Sequence, residues 1–203
     1  MKLSTQRIFA NAFGTVLFLG LAAQAGAGDA RQSSASVERG RYLVTIGGCN
    51  DCHTPFHMGP DGPEPDLSRM LSGHPATLRI EEAPPAPTMP WMTTAAATNT
   101  AWAGPWGVSF TANLTPDKQT GLGSWDLATF RSAIRTGKHQ GKGRPILPPM
   151  PWPMYRNLTD EDFEALFAYL QSIPAISNRV PGRRACSSGS TSAQKRVTAC
   201  WFG

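Results

Sequence analysis

The sequence predicts an all-α domain carrying long loop insertions, and three observations predict it. Apolar residues recur at helical spacing in three runs that end near residues 46, 135 and 172. No stretch alternates convincingly in the manner of a strand. The pentad Cys49-Asn50-Asp51-Cys52-His53 closes the first run. Cys-x-x-Cys-His is the attachment signature of a c-type haem. Two thiols three residues apart can each add to a vinyl group along one porphyrin edge, and the next residue's imidazole then lies beside the iron. A thioredoxin-like redox pair sits in a βαβ context and has no need of the His, and a zinc site needs two further ligands at suitable spacing. Cys186 and Cys200 make at best a loose second half for zinc. The expected cofactor is haem c, one per chain, held by Cys49 and Cys52 with His53 proximal.

The elements follow in chain order. Lys2 and Arg7 precede an apolar stretch from Ile8 to Ala23 and small residues beyond it, which reads as a signal peptide over 1–25 with cleavage possible after 27. Asn11 interrupts that stretch, which is shorter than the ~20 residues a membrane span requires, so membrane association through an uncleaved signal is the minor alternative. A small, polar linker covers 26–35, and the haem domain 36–181. Ser36 can cap the first helix, which carries Val37, Tyr42, Leu43, Val44 and Ile46 toward Gly47-Gly48. Gly40 inside it is unfavourable by ~1 kcal/mol against Ala unless another element packs on that spot, so a second helix is expected to cross there.

The stretch 57–105, dense in Pro, Gly and Ala, is too long for an ordinary connection and reads as a long loop insertion, laid over the haem or partly mobile. A short helix is expected from Asp126 to Arg135, with Leu127, Phe130 and Ile134 inward. The strongest helix is Thr159 to Ser172: Thr159 caps it, Asp160, Glu161 and Asp162 suit the positive end of the dipole, and Pro174 stops it. Residues 182–203 form a basic tail, in which Cys186 and Cys200 are most simply a disulfide, with free or intermolecular thiols as alternatives.

A haem with His on one face needs a ligand or a vacancy on the other, and that choice separates electron transfer from catalysis. Met150 lies in Ile146-Leu147-Pro148-Pro149-Met150-Pro151-Trp152, where flanking prolines limit the backbone states and can hold a soft sulfur at iron. Met154 is the alternative. His57, His74 and His139 stand in polar, Gly- or Pro-rich sequence and read as solvated loop histidines.

The ordered run of motifs resembles a family. Cys49-x-x-Cys52-His53-Thr54-Pro55, Asn113-Leu114-Thr115-Pro116-Asp117, Thr120-Gly121-Leu122-Gly123-x-Trp125, Arg135-Thr136-Gly137, Pro149-Met150-Pro151 and Thr159-Asp160-Glu161-Asp162 look like the class I cytochrome c domains of bacterial membrane-bound alcohol, gluconate and aldehyde dehydrogenase cytochrome subunits. The resemblance covers roughly residues 37 to 181. It implies a cytochrome c-like helical domain with His/Met ligation, Met150 at the ligand position, and Asn113, Trp125 and Trp152 lining the haem or contacting its propionates. Two departures stand out: those subunits repeat the domain to carry three haems where this chain has one haem motif, and the 57–105 segment is an extra elaboration.

The expected function is a monohaem c-type cytochrome carrying single electrons between a periplasmic or membrane-bound dehydrogenase and a downstream respiratory acceptor. The expected role is that of an electron carrier or an electron-transfer subunit, such as one of a dehydrogenase complex, and not of an enzyme. The alternative is a peroxidase-like haem enzyme with an open or labile distal site, which would want a distal acid or base such as His74 or His139; a haem-based sensor is a third class. The formal net charge of +5 falls to +3 without the signal, a mild excess. A basic tail can steer an acidic redox partner, but an exported chain has no use for nucleic acid.

Overall fold

The computed structural model describes residues 33–80 and 91–183. The expected signal segment, the Cys186 and Cys200 pair and nearly all of the basic tail lie outside the described residues. A first helix, α1, covers 33–46, so Ser36 lies within it rather than capping it. Leu43 and Val44 bury its inner face. Gly48 turns the chain in the left-handed region (φ 63°), where a side chain would be strained, and α2, Cys49–His53, follows at once.

The expectation of an all-α domain does not hold. Phe56–Gly59 (β1) and Gly62–Pro65 (β2) form an antiparallel hairpin, and Thr94–Ala95 (β3), Ala101–Gly104 (β4) and Gly107–Phe110 (β5) a three-stranded antiparallel sheet in the order β3-β4-β5. Both hairpins reverse on two residues closed by a glycine of positive φ, Pro60-Asp61 before Gly62 and Pro105-Trp106 before Gly107. Turn residues, not β-branched alternation, place these strands. Their own residues are rich in Ala, Gly and Pro, types that carry little strand propensity, so periodicity did not reveal them. The described parts of the insertion are therefore structured rather than one long loop.

The remaining helices are α3, Leu127–Thr136, the single turn α4, Trp152–Tyr155, and α5, Asp160–Ser172. Asp126 caps α3, accepting from the Thr129 N–H at 2.7 Å, and Thr159 caps α5, accepting from the Asp162 N–H at 3.1 Å. The core joins Val44, Leu71, Leu122, Phe130, Phe163, Leu170 and Ile173, with Phe163 fully buried. Phe130 meets Phe163 edge-on at 6.2 Å. The expected crossing at Gly40 is present. A Cβ there would overlap the Ala165 carbonyl of α5 and come within 2.7 Å of Tyr169 Cβ. Arg39 pairs with Asp162 across the same crossing, and Asp160 binds Arg131 and Arg135, tying α5 to α3. No helix among the described residues is long and apolar enough to cross a membrane.

Candidate haem site

The motif helix α2 leaves His53 inside the protein and both cysteines half-buried. His53 Nδ1 lies 2.7 Å from the Ala112 carbonyl oxygen. A carbonyl only accepts, so Nδ1 carries the proton and Nε2 keeps its lone pair for a metal. Burial pushes the His53 imidazole below its ordinary pKa, against a smaller opposing effect of the Ala112 bond, and holds it neutral as a ligand must be. Around it the backbone closes tightly: the Gly73 N–H donates to the His53 carbonyl at 2.7 Å, and buried Thr54 donates to Asn50 and accepts the Leu71 N–H.

Cys49 and Cys52 are free thiols. Burial pushes Cys49 up to about 11 and raises Cys52 as well. Redox-active Cys-x-x-Cys pairs have a depressed thiol pKa, so the electrostatics oppose that reading. Among the described residues no group of three His, Cys, Asp or Glu side chains converges to hold a metal ion. The Tyr155 hydroxyl donates to the Gly47 carbonyl, latching α4 onto the turn that precedes Cys49.

One strand reaches both expected ligand segments. Ser109 Oγ in β5 donates to the Pro148 carbonyl at 2.6 Å, and three residues on, Ala112 receives His53. The Pro148 loop is pinned further by the Ile146 N–H to the Gly137 carbonyl at 2.8 Å. Met150 in that loop is half-buried, whereas Met154 on α4 is 73% exposed.

The expected pocket residues separate. Trp125 is half-buried with its ring edge-on to His139 at 5.3 Å. Trp152 packs its ring over Gly137, where a Cβ would come within 2.7 Å of it. Asn113 is 3% exposed, and its amide N–H groups go to Thr120 Oγ1 and the Ile176 carbonyl while its oxygen accepts from Thr115. Every donor is thus engaged within the protein, which makes Asn113 a brace between its loop and the segment after α5.

His74, expected in solvent, is fully buried: Nδ1 meets Thr100 Oγ1 at 2.9 Å, Nε2 meets the Leu78 carbonyl at 3.0 Å, and Phe110 covers the ring at 4.8 Å. His57 and His139 are exposed as expected. Sequence reasoning also missed Asn178, whose side chain binds the Ser72 and His74 carbonyls and the Ala76 N–H. No local signal marks it, because its partners lie a hundred residues away. The indole N–H groups of Trp102 and Trp106 are buried with no acceptor among the described residues. A neutral imidazole with an available Nε2, two unpaired thiols and buried donors in want of an acceptor all suit a covalently held haem.

No family model matches the chain. It is 30% identical over 152 residues to a nicotinate dehydrogenase subunit of Pseudomonas putida, covering 75% of this chain and 10% of that one. It is 31% identical over 162 residues to the gluconate 2-dehydrogenase cytochrome c subunit of Pantoea cypripedii, covering 80% and 27%. To the fructose dehydrogenase cytochrome subunit of Gluconobacter japonicus it is 30% identical over 137 residues, covering 68% and 21%. The chain spans between a tenth and about a quarter of the length of these relatives. Its Cys-x-x-Cys-His helix, with the imidazole oriented by a backbone carbonyl, and these likenesses together mark the chain as a c-type cytochrome domain similar to those of bacterial dehydrogenase cytochrome subunits.

Proposed function

We propose that the chain is a monohaem c-type cytochrome that passes single electrons from a periplasmic or membrane-bound dehydrogenase to a respiratory acceptor. Cys49 and Cys52 anchor the porphyrin as thioethers, His53 Nε2 is the proximal ligand and Met150 the distal one, with Trp125 and Trp152 as walls of the pocket. The haem iron supplies a one-electron ferric/ferrous couple. The protein's part is to keep both ligands in place in both oxidation states, so that little reorganises on transfer. Ala112 does this for His53, and Ser109 does it for the loop of Met150. The observation that carries the reading is the 2.7 Å contact from His53 Nδ1 to the Ala112 carbonyl, which orients an imidazole adjoining two free thiols. The relatives named as cytochrome subunits of gluconate and fructose dehydrogenases supply the class of partner. A peroxidase-like reading lacks comparable support, since both ring nitrogens of His74 are engaged and His139 is exposed.

The test is chemical. Exported protein should be red, should give a pyridine haemochrome of the two-thioether type with one haem per chain, and should keep its pigment in acidified acetone. Colourless protein, or pigment that extracts, would refute the reading.

A further inference from the structure

Two half-buried indoles share one face of the β3-β4-β5 sheet. Trp102 stands directly across from Ser109 in the β4-β5 register, so the two side chains project to the same side. That side is the one on which Ser109 Oγ reaches the Pro148 carbonyl, two residues before Met150. Gly104, two residues beyond Trp102, would point a Cβ the same way, and that Cβ would lie 2.6–2.8 Å from the six-membered ring of Trp106. The Trp106 ring therefore lies on this face beside Trp102. Each Nε1–H is shielded from solvent and has no acceptor among the described residues. Leaving a buried donor unmade costs about 1–3 kcal/mol, so two adjacent ones mark a place where an acceptor belongs.

The sheet's position indicates which acceptor. From Ser109 to Ala112 the chain covers about 10 Å at the usual strand rise, running from the segment of the distal ligand to the carbonyl that orients the proximal one. A haem held between those ligands would lie beside it; the β3-β4 turn meets the motif helix, Asn99 Nδ2 donating to the Asp51 carbonyl at 2.6 Å, and the sheet runs on from that turn to Trp102 and Trp106. The vinyl groups occupy the edge that the cysteines take, and the propionates leave from the opposite edge as paired anionic acceptors. We propose that the indole N–H groups of Trp102 and Trp106 donate to the haem propionates, making the inserted sheet a carboxylate-binding platform for the cofactor. The inference rests on the cytochrome reading and adds to it a role for the insertion.

Trp102→Phe and Trp106→Phe keep an aromatic ring and remove only the donor. Both variants should retain covalent haem by pyridine haemochrome. Each should shift the propionate bending band in the resonance Raman spectrum and lower the reduction potential, because an unbonded propionate carries more negative charge toward the ferric iron. In the ferrous parent, 15N-indole spectra should show these two N–H protons exchanging slowly with solvent. That measurement stands even if a variant folds poorly. Unmoved propionate bands and potentials in both variants, or fast-exchanging indole protons in the parent, would overturn the platform. Absence of haem from the parent would instead overturn the cytochrome reading itself.

Discussion

Met150 and Met154 are four residues apart and chemically equivalent, so surroundings decide between them. Met150 is half-buried in a loop held by Ser109 and Gly137, and Met154 is largely in solvent. Met150→Leu should abolish the weak red charge-transfer band of ferric iron bound by thioether sulfur, and Met154→Leu should leave it intact; the opposite pattern in absorption spectra exchanges the assignments. Asn113→Ala should cost about 2–3 kcal/mol in denaturant unfolding of the holo-protein, since it strands buried partners at Thr115 and Ile176, while the haem spectrum stays unchanged. A spectral change would instead place Asn113 at the porphyrin. Cys49, Cys52 and His53 could be read from the sequence because one helical turn holds all three. The burial of His74 could not, because Gly73-His74-Pro75 is locally a loop and what encloses it, Phe110 and Thr100, comes from elsewhere in the chain.

The crossing of α1 over α5 depends on a missing side chain. In an isolated helix Gly40→Ala would gain about 1 kcal/mol of propensity. Here the added methyl meets the Ala165 carbonyl and Tyr169 Cβ, backbone and near-backbone atoms that cannot swing away. Overpacking costs about 1–3 kcal/mol and rises where the neighbour is rigid, so the steric loss wins. Thermal unfolding should show Gly40→Ala destabilised by about 2 kcal/mol; a variant as stable as the parent would mean that the helices cross elsewhere. This contact was legible because a glycine within an apolar helical run weakens the helix unless a neighbour needs the space. The ends of α3 and α5 were legible through Asp126 and Thr159, whose capping is a local property. The strands were not, because β4 buries only Ala101 and Ala103, side chains too small to stand out as a periodic signal.

The chain after α5 returns to clasp the insertion, and this closure carries a pH dependence. Asn178, 5% exposed, binds the Ser72 and His74 carbonyls and the Ala76 N–H, while its own N–H donates to Thr120. At the centre sits His74, whose pKa burial lowers below 6.5, against a smaller raising effect of the Leu78 carbonyl. In the unfolded chain this imidazole takes up a proton near its ordinary pKa of about 6.5, whereas the folded protein resists it. Below that pH the unfolded state binds more protons. The stabilising contribution is therefore complete above the ordinary value and is lost as pH falls from there toward the lowered one. The carboxylates held low, Asp66 by Ser68, Asp117 by Thr120, Asp126 by Thr129 and Asp160 by Arg135 and Arg131, act in the same direction but only from about 3.8 downward, their ordinary value. The two windows are separate. Unfolding midpoints of the holo-protein should decline between about pH 7 and 5, the range in which a free imidazole titrates. His74→Gln, which keeps a side chain able to bond Thr100 or Leu78, should flatten that decline whatever its effect on absolute stability. An unchanged slope in the variant would assign the decline to other groups, His53 and His139 being the other histidines whose pKa burial lowers.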